Sequence, residues 1–303
     1  MNEAKINPYV LLAIGVFSIS TSAILVKVSS APSGVIAFYR MFFSVLFMLP
    51  VFLLKYVPEL RVITRRDWIF STISGVFLAF HFILWFESLN YTSVASSTVL
   101  VTLQPLFAFV GTYFFFKEKF SFKAILSGLI AILGSIIISM GDFQVSGAAL
   151  IGDFLALAAC ALVTAYFMFG QEVRKRLSLI TYTFVVYSIS TITLFIYIMI
   201  KHEPLVPYPS SDWVYFILLA LVPNLMGHTF FNWSLKWVST STISMAVLFE
   251  PIGAAILAYL LLQESLTWTQ ILGGGVIIAG LSLFVLDEHK IHVKHRKEKM
   301  ISQ

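Results

Sequence analysis

Hydrophobic positions in this 303-residue chain fall in long runs separated by short charged segments. Eight stretches of at least 18 residues contain no Asp, Glu, Lys or Arg: 6–26, 68–86, 88–116, 124–141, 154–171, 177–200, 213–235 and 265–286. Two further runs, 28–54 and 237–263, are each interrupted once, by Arg40 and by Glu250. A helix needs about 20 mostly apolar residues to cross a bilayer. The pattern therefore predicts ten transmembrane helices.

Composition supports an all-α integral membrane protein. Hydrophobic residues make up 59% of the chain and charged residues only 12%, whereas soluble domains carry about 25% charge. Cys160 is the single cysteine, which excludes a disulfide scaffold. The net charge of +5 is interpreted as topology signal and contact with membrane lipids, and not as nucleic-acid binding.

The basic residues predict the orientation. Seventeen of the twenty Lys and Arg residues lie in alternate loops and in the C-terminal tail, while the opposite set of loops holds only Lys201, with Lys27 at a helix end. Basic residues accumulate on the cytoplasmic side. We therefore expect a multi-pass protein of the cell membrane with both termini in the cytoplasm. Removal of the first apolar run as a signal peptide would disturb this alternation.

An internal repeat appears at an offset of 146 residues. The matched positions include Ser88-Leu89 with Ser234-Leu235, Pro105 with Pro251, Glu118 with Glu264, Gly128 with Gly274 and Gly134 with Gly280. Each half contains five spans, an odd number, so the second copy enters the membrane from the opposite side. The predicted domains are a first repeat over 1–146, an inverted repeat over 147–286 and a basic tail over 287–303.

These features together resemble the drug/metabolite transporter superfamily, and within it the EamA-type transporters. The features that carry this resemblance are the five-plus-five helices, the Ser-Leu turn, the proline in the fourth helix of each half with the glutamate after it, and the glycine-bearing fifth helix. The resemblance implies a secondary transporter, often an exporter of amino acids and related metabolites. It also implies a central cavity formed chiefly by helices one, three and four of each half.

Polar residues on two of these helices are candidate cavity walls. His81 and Trp85 share one face of the third helix, and Asn224, His228 and Asn232 follow one another at intervals of four on the eighth. A polar face is costly in lipid, so it contacts either protein or a water-filled cavity. Hydrogen bonds between helices would explain the same pattern, and both interpretations stay open.

Glu250 precedes Pro251 in the ninth helix, at the repeat position of Gln104 and Pro105 in the fourth. Proline removes one helical hydrogen bond, so both sites combine a polar side chain with freed backbone. Glu250 is a candidate proton carrier, a candidate anchor for a substrate amine, or a fixed partner of another polar group. Gln104 is the corresponding candidate in the first half.

Arg40 and Tyr166 complete the candidate substrate-binding residues. Arg40 lies about 12 Å from the outer end of the second helix, at 1.5 Å per residue. Three roles are open for it: binding of a substrate carboxylate, a structural ion pair, or extension of the side chain to the membrane interface. The paired glycines suit close helix packing, either inside one chain or in a homodimer. Glu118 and Glu264 are interpreted as capping or repeat-packing residues.

Other chemistries have no support. The chain lacks a phosphate-binding loop, a His-Glu-x-x-His motif and a cysteine cluster, so we expect no cofactor, no metal and no enzyme. The tail residues His289, His292 and His295 are assigned to lipid contact rather than metal. The leading hypothesis is a secondary transporter, more specifically an exporter of small polar metabolites such as amino acids by alternating access. A membrane-embedded enzyme and a passive channel are the alternatives.

Overall fold

The computed structural model describes residues 6–140, 147–262 and 265–301. Glu264, the predicted repeat partner of Glu118, lies outside the described residues, as do the side chains of His289, His292 and His295.

Ten helical spans account for almost all of the described chain, in which we find no strand. They are α1 (Pro8–Val28), α2 (Ser33–Lys55), α3 (Arg65–Ser88), α4 (Val94–Phe116), α5 (Phe122–Ser139), α6 (Gly147–Val173), α7 (Leu179–Lys201), α8 (Ser210–Ser234), α9 (Thr240–Val247 and Glu250–Leu262) and α10 (Trp268–Ile301). Nine of the described spans are long and apolar enough to cross a bilayer, and α5 is a shorter apolar helix. The predicted all-α membrane fold with ten spans is confirmed.

Several helices begin earlier than the charge pattern predicted, and in two of them, α3 and α6, the carboxylates near the helix start are satisfied. Asp153 lies inside α6 and accepts hydrogen bonds from Thr92 Oγ1 at 2.9 Å and Ser96 Oγ at 3.3 Å. Asp67 lies in the first turn of α3, where it forms a capping box with Thr64. It also pairs with Arg176 at 2.5 Å. A paired or capping carboxylate does not end a helix.

Four spans are irregular along their length. In α4 and α9 the second segment begins at Gln104 and Glu250, and Pro105 and Pro251 follow at once. A proline suits the first turn of a helix because its missing N–H has no partner there, so each proline starts a new segment. The helix α1 is divided at Thr21. The helix α8 contains a π-helical turn over Ala220–His228.

The packing of α5 against α10 shows the inverted repeat directly. A methyl group on Gly134 would lie 2.7 Å from Gly273 O and 2.8 Å from Ile277 Cγ1. A methyl group on Gly280 would lie 2.8 Å from Ser127 O and 2.7 Å from Ala131 N. These two sets of contacts are exchanged by the 146-residue offset, as an in-plane pseudo-twofold axis requires. In this structure the glycines therefore pack within one chain.

Substitution of Gly134 tests this close approach. We expect Gly134→Ala to destabilise the protein by about 1–3 kcal/mol, because its methyl group would overlap backbone atoms of α10. Gly275→Ala in α10 is the matched control, since no atom lies within 4 Å of its added methyl group. The control should match or exceed the wild-type melting temperature in detergent. Equal melting temperatures for the two variants would contradict the packing.

The end of the bundle where α1 begins is here called the terminal face. The basic connection between α6 and α7 lies at this face and is held by hydrogen bonds. Arg174 is buried, and its Nε donates to Asn232 O at 2.9 Å; burial lowers the pKa of this guanidinium to about 10. Glu59 accepts from Ser178 N at 2.7 Å and Ser178 Oγ at 2.5 Å. Burial alone would raise the pKa of Glu59, but these hydrogen bonds outweigh it and hold the pKa below its usual value.

Glu118 joins the two repeats at the same face. Its Oε2 accepts from Ser241 Oγ at 3.2 Å, and that hydroxyl lies 2.9 Å from Thr112 Oγ1. The contact ties the end of α4 to the start of α9. Glu118 therefore connects the two repeats, which is one of the two roles that the sequence predicted for it.

Candidate functional site

A small central cavity contains the charged residues of both interrupted runs. Its volume is about 20 Å³, enough for one water molecule. It is lined by Ile19, Ser22, Arg40, His81, Trp85, Val101, Gln104, Val163, Phe167, His228, Phe231, Val247 and Glu250. The wall is thus built by α1, α3 and α4 with α6, α8 and α9, as the resemblance implies, and α2 adds Arg40.

The cavity lies on the pseudo-twofold axis. Three pairs of its lining residues are related by the 146-residue offset: Trp85 with Phe231, Val101 with Val247, and Gln104 with Glu250. Arg40 departs from this symmetry, because Val186 occupies its repeat position and does not line the cavity. The helices around the cavity are therefore related by the pseudo-twofold axis, but the charged residues that line it are not.

Arg40 is fully buried at the cavity wall. Its Nη1 donates to Ser22 Oγ at 2.8 Å, while Nε and Nη2 are buried without a hydrogen-bond partner. Its Cζ lies 4.1 Å from the ring centroid of Phe82, a cation–π contact. A structural ion pair was one of the roles that the sequence left open for Arg40. Among the described residues, Arg40 forms no ion pair.

Glu250 lines the cavity together with Gln104, its neutral counterpart in the other repeat. Its side chain is buried, and within the described part of the chain its carboxylate forms no ion pair. The backbone is held separately, since Ser20 Oγ donates to Glu250 O at 3.2 Å. The Oε1 atom of Gln104 is buried without a hydrogen-bond partner. Both second-segment starts thus present an acceptor to the cavity.

Two histidines and a tryptophan complete the polar lining. His81 Nδ1 lies 2.9 Å from Ala159 O; because a carbonyl only accepts, this nitrogen carries the proton. His228 lies with its ring centroid 6.4 Å from that of His81, and its Nδ1 has no partner. Trp85 Nε1 is also a buried donor without a partner.

Three predicted residues lie outside the cavity wall and join helices instead. Tyr166 OH accepts from Asn232 Nδ2, which links α6 to α8. Asn224 Nδ2 donates to Ser44 Oγ at 2.8 Å, which links α8 to α2. The polar stripe of α8 is therefore divided: His228 lines the cavity, and the two asparagines bind neighbouring helices.

Ser22 is a cavity residue that sequence reasoning missed. It lies just after the division of α1 at Thr21 and accepts the hydrogen bond from Arg40. The cluster of Ser18, Ser20, Thr21 and Ser22 in an otherwise apolar helix was the available signal.

A larger groove of about 340 Å³ lies between α1, α9 and α10, but its lining is almost wholly apolar. Ser20 lines this groove and also contacts the backbone of Glu250, so it separates the groove from the central cavity. We assign the site to the smaller cavity because the charged and unpartnered polar groups converge there.

Comparison with known proteins identifies the class. The model of the EamA-like transporter family matches residues 7–140 and 150–286. The chain therefore belongs to the EamA-like transporter family and is a multi-pass membrane transporter.

Several relatives that are named as transporters match this chain over most of their length. The chain is 26% identical to uncharacterized transporter YdfC of Bacillus subtilis (strain 168) over 231 residues, covering 74% of each chain. An uncharacterized transporter of Archaeoglobus fulgidus is 23% identical, with 81% of this chain and 84% of that one covered. One solved crystal structure of a protein matches with a TM-score of 0.76 at 16% identity, covering 94% of this chain and 98% of that chain. That likeness shows the shared fold.

Proposed function

We propose that this transporter exports small zwitterionic metabolites such as amino acids across the cell membrane by alternating access, with the terminal face in the cytoplasm. The observation that carries the proposal is the pair Arg40 and Glu250. Both are buried in one cavity, they have opposite charges, and they do not form an ion pair with each other. Separated buried charges of this kind are costly unless a ligand satisfies them.

The polar groups of the cavity divide into a donor set and an acceptor set. Arg40 Nε and Nη2 with Trp85 Nε1 are donors suited to a carboxylate. The acceptors suited to an ammonium group are Gln104 Oε1, which is buried without a partner, and the buried Glu250 carboxylate, which also lines the cavity. A buried polar group without a partner costs about 1–3 kcal/mol. A zwitterion that reaches both sets would remove several of these costs together.

The size of the cavity and the irregular spans around it support alternating access. A volume of about 20 Å³ is too small for a metabolite, so binding requires the surrounding helices to separate. The divisions of α1, α4 and α9 supply bending points at the level of the cavity. In this mechanism Glu250 binds the substrate ammonium group in exchange for a proton. An inward proton gradient then drives export.

Counterflow in proteoliposomes tests the proposal. We expect radiolabelled zwitterionic amino acids to exchange with saturation, and amines or carboxylic acids with the same side chain to compete at least about tenfold more weakly. Because a zwitterion contacts both sets of groups, loss of either end removes one charged contact. Flux that rises linearly with concentration would instead indicate a channel, and absence of exchange for all amino acids would contradict the substrate class.

A further inference from the structure

The Arg40 guanidinium lies over two buried aromatic rings of α3. Its Cζ is 4.1 Å from the ring centroid of Phe82 and 5.8 Å from that of Phe86. Both side chains are buried, and the two residues are one helical turn apart. The face of an aromatic ring carries negative charge, so it attracts a cation, most strongly where water is excluded. The rings therefore stabilise a buried charge that has no ion pair among the described residues.

This contact stabilises the guanidinium without using its N–H groups. A guanidinium is planar, and its five N–H bonds point outward within that plane. A ring below the plane leaves all of them free, whereas a bidentate carboxylate would take two. Of the guanidinium nitrogens, Nη1 donates to Ser22 Oγ, while Nε and Nη2 are buried without a partner. Phe82 thus holds the charge, and the donors remain available to a ligand.

These surroundings of Arg40 are found in one half of the protein. The arginine and its three contacts have counterparts 146 positions later that cannot form the same arrangement: Met168 for Ser22, Val186 for Arg40, His228 for Phe82 and Asn232 for Phe86. Both rings are thus replaced by polar side chains where the arginine is replaced by valine. His228 lines the cavity, and Asn232 donates to Tyr166. The two rings therefore go with the arginine and not with the repeat.

Glu250 is the nearby charge that these contacts oppose. Arg40 and Glu250 line one cavity, whose volume of about 20 Å³ holds a single water molecule. Opposite charges attract strongly where water is excluded, and a change of the Arg40 rotamer is enough to form an ion pair across so small a space. No such pair forms between these two residues. The Ser22 hydrogen bond and the ring of Phe82 hold the guanidinium in place instead.

We propose that Phe82 is a positioning residue for solute binding, which holds the Arg40 guanidinium apart from Glu250 and leaves both charges available to the solute. The inference rests on the proposed function for the identity of that solute. When the face of Phe82 is lost, Arg40 and Glu250 pair with each other, and the site satisfies itself. Phe86 lies farther from the guanidinium and contributes less, because a cation–π attraction weakens with distance.

A double-mutant cycle between Arg40 and Glu250 tests the separation without any solute. The quantity measured is the departure from additivity of the melting-temperature changes of Arg40→Gln and Glu250→Gln in detergent. We expect this departure to be at least about 5 °C larger when 3,4,5-trifluorophenylalanine replaces Phe82, because each single variant then breaks the same ion pair. The fluorinated ring keeps its shape and loses the negative charge of its face.

The same replacement at Phe86 is the matched control, because its ring lies on the same helix and 5.8 Å from the guanidinium carbon. It should change the departure from additivity by less than about 2 °C. An equal departure with the natural and the fluorinated ring at position 82, or the same increase at both positions, would overturn the role of Phe82.

Competition assays in proteoliposomes test what the separation does for binding. Phe82→Leu should weaken competition by amino acids and by simple amines at least about tenfold, since Arg40 then occupies Glu250. Addition of Arg40→Gln should restore competition by amines and not by amino acids, because it frees Glu250 and removes the carboxylate contact. A variant that had merely lost its fold would not be restored. If Phe82→Leu yields no folded protein, the trifluorophenylalanine variant takes its place in the same assay.

Two results of this assay would overturn the positioning role. One is amine competition at wild-type strength in Phe82→Leu, and the other is the failure of Arg40→Gln to restore it. If the wild-type chain exchanges no amino acid, the proposed substrate class fails, while the double-mutant cycle still decides whether Phe82 keeps Arg40 and Glu250 apart.

Discussion

Glu250→Gln is expected to weaken amino-acid exchange about 100-fold in apparent affinity and to remove the acceleration by an inward proton gradient. The carboxylate is buried at the cavity and has no ion-pair partner among the described residues. In the proposed mechanism this carboxylate holds either a proton or a substrate ammonium group. Counterflow and pH-jump efflux measure the two effects separately.

Gln104→Ala is the matched control, because Gln104 occupies the repeat position of Glu250 and lines the same cavity. Loss of this neutral acceptor should weaken affinity about tenfold and leave the proton dependence intact. Weaker affinity with an unchanged pH profile in Glu250→Gln would restrict Glu250 to anchoring the amine. Wild-type affinity and an unchanged pH profile would remove Glu250 from the mechanism.

Arg40→Gln should produce a comparable loss, confined to solutes that carry a carboxylate. Two of its guanidinium nitrogens are buried without a partner, so they are available for a bidentate contact with a carboxylate. We expect apparent affinity for amino acids to fall about 100-fold, and competition by simple amines to remain at its wild-type strength. Competition assays against one labelled amino acid compare the two classes directly.

Arg174→Gln provides the contrast between a binding and a structural arginine. Arg174 is also buried, but its Nε and Nη1 donate to the backbone oxygens of Asn232 and Leu177. Its replacement should lower the melting temperature and leave the affinity of the folded transporter unchanged. If Arg40→Gln likewise lost only stability, Arg40 would be a structural residue and the proposed carboxylate site would be wrong.

The predicted site residues divide according to where their partners lie. His81, Trp85, Gln104, His228 and Glu250 line the cavity, on helices that the repeat and the resemblance had marked. Tyr166 and Asn232 are bonded to each other across 66 residues of sequence, and Asn224 to Ser44 across 180. Helical spacing shows that a residue is polar and on a shared face. It does not show whether a distant side chain already satisfies it.

The sequence by itself determined the number of spans and the inverted repeat. Lipid offers no hydrogen-bond partners to the backbone, so the length and apolar character of each run leave few alternatives to a helix. Only the tertiary structure decided the chemistry of the cavity. It brought Arg40 from α2 beside Ser22 of α1, and it placed a π-helical turn in α8. Such contacts depend on how helices pack, and packing is set by partners far apart in the chain.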